Sequence, residues 1–186
     1  MTMQSCDYMW YKNEKFILID CEKEKDIINS ADFGLKNFSA ITCCYRGYTA
    51  EYFIEDNFLY GQKKVAYYPE KTDSGITINF KISPKIRMNY TGSAIIAINN
   101  DDNKYIMSDF FDTFLFFDRA YELYFIDGEL LEITSLSPAI QEYTTLKNSL
   151  KHTQNYYELL GKKREEIAVK YLQYEYGNYK WRFNHD

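Results

Sequence analysis

Asp109, Asp112, Asp118 and Glu122 place four carboxyl groups close together in the chain. Two carboxylates held at a set separation can do acid–base or glycosidase work. Asp109 and Asp112 do not alternate onto one face of a strand, however, and acidic side chains are usually solvated. The cluster therefore reads as a chance grouping, and the chain leans away from catalysis. Cys6, Cys21, Cys43 and Cys44 form no C-x-x-C pair and have no His at ligand spacing, so no metal site is expected. They read as reduced, partly buried thiols. A cysteine nucleophile needs a base, and the only histidines are His152 and His185, far along the chain. No Gly-rich phosphate loop, G-x-S-x-G, H-E-x-x-H or EF-hand pattern occurs, and no cofactor is expected.

Arg46 poses a different question. Read as a strand, YRGYTAEYFIEDNFLYG (45–61) puts Arg46 in line with Tyr48, Ala50, Tyr52 and Ile54. An unpaired charge on a buried face is too costly to persist. Glu122, also on an apolar face, is the expected partner, with Asp118 and Glu51 behind it. Two alternatives stay open: Gly47 marks a bulge that turns Arg46 into solvent, or Arg46 binds a ligand.

Strands must position these residues. With 19 Tyr, 13 Phe and only 3 Pro, the composition favours pleated, half-buried surfaces. Lys15–Asp20 reads as the first strand. Ile41–Ile54 and Phe58–Tyr68 form a hairpin about Glu55-Asp56-Asn57. Further strands are expected at Gly75–Ile82, Ser93–Ile98, Tyr105–Ser108 and Thr113–Phe117, with a polar loop at Asn99–Asn103. Asp127-Gly128 between apolar runs is a strong two-residue hairpin signal. It pairs Phe125 with Leu130 and Tyr124 with Leu131, and sets Glu122 opposite Ile133. After Pro138 the apolar period lengthens to three or four residues, with one shift near Gly161. Ser137 fits an N-cap with Pro at the first helical position. One long or two shorter helices then run to about Tyr176-Gly177, and YKWRFNHD is a last strand or a loose end. The fold class is α+β: an all-antiparallel sheet, or a partly open barrel or sandwich, followed by C-terminal helices. Residues 1–137 form the β domain, and 138–186 a helical extension packed on or beside it.

Charge narrows the partners. Residues 1–137 carry −7 and residues 138–186 carry +2. An acidic β part repels nucleic acid and attracts a basic protein, such as a nuclease. No signal peptide and no run of about 18 apolar residues is seen, so a cytoplasmic protein without membrane contact is expected.

YRGYTAEYFIEDNFLYG and ELYFIDGELLEI resemble segments of small bacterial immunity-like proteins that accompany polymorphic toxins, over about residues 40–136. LYGQKKVAYYPE departs from that pattern in its Gly and two Lys. The resemblance implies a toxin-neutralising binding protein and carries no catalytic residues. Arg46, Tyr48, Asp56, Asp101, Asp109 and Glu122 are the candidate binding residues. Two further readings stand beside this one: a small-molecule or carbohydrate-binding β domain that stacks its ligand on Tyr residues and Trp10, and an enzyme with an unrecognised acid pair.

Overall fold

Alternating side chains and left-handed turns build most of the molecule. The computed structural model describes residues 7–22, 27, 48–67, 79–100 and 113–174. Its strands are β1 (Tyr8–Tyr11), β2 (Glu14–Cys21), β3 (Thr49–Glu55), β4 (Phe58–Tyr67), β5 (Asn79–Ile82), β6 (Ile86–Arg87), β7 (Gly92–Ile98), β8 (Arg119–Ile126) and β9 (Glu129–Ser135). Three two-residue turns join neighbours: Lys12-Asn13, Asp56-Asn57 and Asp127-Gly128. Both residues of each have positive φ, the geometry that matches strand twist in a tight hairpin. The expected hairpins at 55–57 and 127–128 are therefore present. β1 is an addition: Lys-Asn lacks the Gly that signals such a turn.

The strands close into a seven-membered barrel in the order β3-β1-β2-β7-β8-β9-β4, with β4 returning to β3. β5 and β6 pair with β4 outside this ring. The architecture is thus α+β with a barrel and C-terminal helices. The sheet is not wholly antiparallel, because β1 and β3 run parallel. Parity explains this correction: direction alternates at each antiparallel step, so a closed ring of seven strands must contain a parallel pair.

Two apolar layers result. Met9, Phe16, Ala50, Tyr52, Leu59, Ile96, Leu123 and Phe125 fill the lumen. On the other side of β7 and β8, Ile95, Ala97 and Ala120 meet Leu136, Ala139, Ile140 and Tyr143 of the helical segment. β7 is buried on both faces, which its sequence GSAIIAI reflects in having no alternation.

Several boundaries differ from expectation. Thr113–Phe117 is not a strand: Phe114–Phe116 form a 3-10 turn, and the Thr113 hydroxyl accepts the Leu115 N–H at 3.3 Å. A short unbroken apolar run carries no period to separate strand from helix. The β8–β9 ladder keeps Phe125 opposite Leu130, then slips by one residue. Tyr124 faces Glu132 and Glu122 faces Thr134, not Leu131 and Ile133. A bulge with Leu131 as the extra residue causes the slip. The tail holds two helices, α1 (Ser137–Leu150) and α2 (Tyr156–Tyr171), separated at 151–155, and Gly161, near which the apolar period shifts, lies inside α2. Leu136, not Ser137, is the N-cap. The helix thus begins at Ser137, one residue earlier than a Ser137 cap would place it, directly after Leu136, whose N–H still bonds to the Ala120 carbonyl at 3.0 Å. The expected strands at 41–47, 75–78 and 105–108 and the segment YKWRFNHD lie outside the described residues.

Candidate functional site

The predicted site residues do not come together. Tyr48 is buried in the lumen, with the Lys63 Nζ 4.5 Å from its ring centroid. Its strand companions Ala50 and Tyr52 are buried there too, as the alternation implied. Asp56 stands exposed on the β3–β4 turn. Glu122 is buried at 2% exposure on the helical side of β8, where its carboxylate accepts the Gln173 N–H at 3.0 Å and the Tyr174 N–H at 3.1 Å. Arg46, Asp101 and Asp109 lie outside the described residues, and the Arg46–Glu122 pair with them. Asp118 accepts the Asn100 N–H at 2.9 Å. Both described members of the carboxylate cluster thus serve the backbone.

A different group of residues meets on the outer face of β1, β3 and β4. Where these strands turn one side chain into the lumen, the next points out: Tyr8 and Trp10 flank Met9, and Glu51 and Phe53 flank Tyr52. Register aligns the outward residues into a row. Lys15 faces Trp10, Trp10 faces Phe53, Phe53 faces Tyr60, and Tyr60 faces Arg87. Trp10 and Phe53 lie parallel, with ring centroids 6.5 Å apart and planes within 2°. Tyr8, Trp10, Phe53, Phe58 and Tyr60 are all half-buried. Among the described residues, the core beneath the helices draws none from β1, β3 or β4, so the described part of that layer leaves this face uncovered.

Cations sit against the rings. Lys15 Nζ lies 4.1 Å from the Tyr8 centroid and 5.7 Å from that of Trp10, and 2.9 Å from Glu51 Oε1. Lys85 Nζ lies 4.9 Å from Phe53 and 5.8 Å from Tyr60, and bonds both Glu55 oxygens at 2.6 and 2.8 Å. The Arg87 guanidinium lies 3.8 Å from the Phe58 centroid. Each such contact contributes about 0.5–1 kcal/mol at an exposed site. The Trp10 indole N–H is sealed from solvent and meets no acceptor among the described residues.

One end of this face is acidic. The Leu130 N–H bonds to the Asn57 carbonyl and the Leu59 N–H to the Gly128 carbonyl, each at 2.7 Å, so the Asp56-Asn57 and Asp127-Gly128 turns are fastened together. Exposed Glu55, Asp56, Asp127 and Glu129 gather there.

Elsewhere, a groove of about 500 Å3 between α1 and α2 is lined by Glu142, Leu146, Lys163, Glu166, Ile167 and Lys170. Its charges pair with one another, Lys170 with Glu142 and Lys163 with Glu166. The Lys170 ammonium, and then the Tyr171 hydroxyl, hold the Glu142 carboxyl below its usual value. In the lumen, burial pushes the Tyr90 phenol far up, and its hydroxyl donates to the Ser93 carbonyl at 2.7 Å. Among the described residues no three His, Cys, Asp or Glu are placed to hold a metal, and no helix is long and apolar enough to cross a membrane.

Of the outer row, the sequence singles out only Trp10. The signal for the others was aromatic alternation out of phase with the lumen residues, and it could be read only with β1 in the sheet. Comparison of the chain with protein-family models, with curated proteins and with solved structures returns no match, so the chemistry of this face is what bears on function.

Proposed function

We propose that the chain is a non-catalytic binding protein of the immunity type, which neutralises a basic protein partner, a toxin domain, by covering it with the outer face of β1, β3 and β4. The observation that carries this reading is the half-buried row Trp10–Phe53–Tyr60, left open by the helical layer and ending beside an acidic rim. Trp, Tyr and Arg are the residues in which binding energy between proteins concentrates. Asp56 at the rim attracts a basic partner, as the charge of the β part suggests. The toxin identity rests on the resemblance of residues 40–136, and action in the cytoplasm follows from the same reading.

The carbohydrate alternative asks for open ring faces on which a sugar can stack. Here each ring pair is bounded by a carboxylate, Glu51 at Tyr8 and Trp10 and Glu55 at Phe53 and Tyr60, and holds an ammonium, a charged setting that favours a cationic protein partner over a neutral sugar.

The test is capture of the product of the adjacent reading frame, followed by rescue of growth when that product is expressed. Trp10→Ala and Phe53→Ala should each weaken capture by roughly thirtyfold, the size of an interface hot spot of about 2 kcal/mol, while the melting transition stays cooperative. Failure to capture any partner, with substrate turnover by the purified protein, would replace this reading by the enzymatic one.

A further inference from the structure

Two sites on the outer face share one design. In the first, Tyr8 and Trp10, two apart on β1, and Glu51, opposite Tyr8 on β3, surround an ammonium. In the second, the cross-strand pair Phe53 and Tyr60 and the carboxylate of Glu55 do the same. Two rings and a carboxylate around one cation is the arrangement by which proteins recognise ammonium groups, since ring faces are negative and the carboxylate fixes the charge. The occupants here belong to the chain itself: Lys15 reaches in from β2 and Lys85 from the segment before β6. Their side chains remain 38% and 37% exposed, so each can swing into water without unfolding anything.

We propose that these are two recognition sites for lysine or arginine side chains of the partner, held closed in the free protein by Lys15 and Lys85. The inference rests on the reading of this face as the binding surface and adds how it selects its partner. A tethered lysine competes at an effective concentration of about millimolar, so an isolated cation at micromolar concentration does not displace it. A partner segment carrying several cations does, because it enters both sites at once. The stacked Trp10–Phe53 pair joins the two, with centroids 6.5 Å apart. The occupied sites also keep the aromatic row from presenting bare apolar surface before the partner arrives.

The experiment titrates octalysine into the full chain carrying Trp181→Phe, so that Trp10 is the fluorescent reporter. Replacing both Lys15 and Lys85 by Ala should tighten binding by at least about tenfold, the worth of the closer ring contact at each site alone. Adding Glu51→Gln and Glu55→Gln should abolish that gain. Lys147→Ala with Lys151→Ala on the helical side removes the same charge and should leave binding near its starting value. An equal gain from that control pair, or none from the Lys15/Lys85 pair, overturns the proposal. If the alanine pair does not fold, Lys15→Met with Lys85→Met keeps the stems and gives the same reading. Capture of the adjacent-frame product without any gain in the Lys15/Lys85 variant removes this inference alone; failure of both removes the occlusion reading as well.

Discussion

At the scale of the residue, burial decides what a polar group must do. Glu122 lies on an apolar face, and the sequence says only that such a carboxylate needs a partner. The described partners are two backbone N–H groups just past α2, 51 and 52 residues away. Hydrogen bonds to a charged group contribute about 1.5–3 kcal/mol. Glu122→Ala should therefore lower stability by about 2–3 kcal/mol in a denaturant titration, with Glu122→Gln between it and the wild type. An unchanged midpoint would mean that water replaces the carboxylate. Two glycines make an opposite pair. At Gly128 φ is +78°, and an added Cβ would come 2.0 Å from the Met88 carbonyl oxygen. Gly128→Ala should cost at least about 2 kcal/mol, since left-handed strain alone reaches 1–2. Gly161 lies inside α2 with nothing near its Cβ position. Gly161→Ala should stabilise by about 1 kcal/mol. Melting temperatures that move the same way in both variants would refute this account.

At the scale of the element, ion pairs join segments that the core alone brings near. Arg119 on β8 grips Glu14 on β2 through both nitrogens, at 2.6 and 2.9 Å. Glu142 on α1 receives Lys170 and Tyr171 from α2, each at 2.7 Å. Arg119 holds the Glu14 carboxyl below its ordinary value of 4.5, and Lys170 does so first for Glu142. A lowered carboxyl contributes stability that is complete above the unfolded value and lost as pH falls through the folded one. The melting temperature should therefore decline as pH drops below 4.5. Glu14→Gln with Glu142→Gln should flatten that decline. An equally steep fall in the variant would place the acid sensitivity elsewhere.

At the scale of the molecule, barrel closure and charge govern function together. The helices cover β7 and β8, and β1, β3 and β4 stay outside that layer, with the acidic turns at one end. Steering by charge predicts association that slows as salt rises, since screening shortens the field to about 8 Å at physiological ionic strength. Reversing Asp56 at the rim should slow association with the captured partner more than reversing Glu165 or Glu166 on α2. Stopped-flow rates that respond equally at both places would separate binding from the rim.

Local chemistry determined much of this by itself. Asp56-Asn57 and Asp127-Gly128 tolerate the left-handed backbone, so both hairpins were legible. The change of period at Pro138 marked the helices, and alternation placed Tyr48, Ala50 and Tyr52 on one face. Only the tertiary structure decided what depends on contacts distant in sequence. It set β1 into the ring beside β3, and seven strands then required a parallel pair. It turned the apolar run at Phe114–Phe116 into a 3-10 turn beneath α1. It brought Tyr8, Trp10, Phe53 and Tyr60 into one face with Lys15 and Lys85, residues from five separate segments. No local rule encodes that meeting, because register between strands far apart in the chain is chosen by the whole core at once.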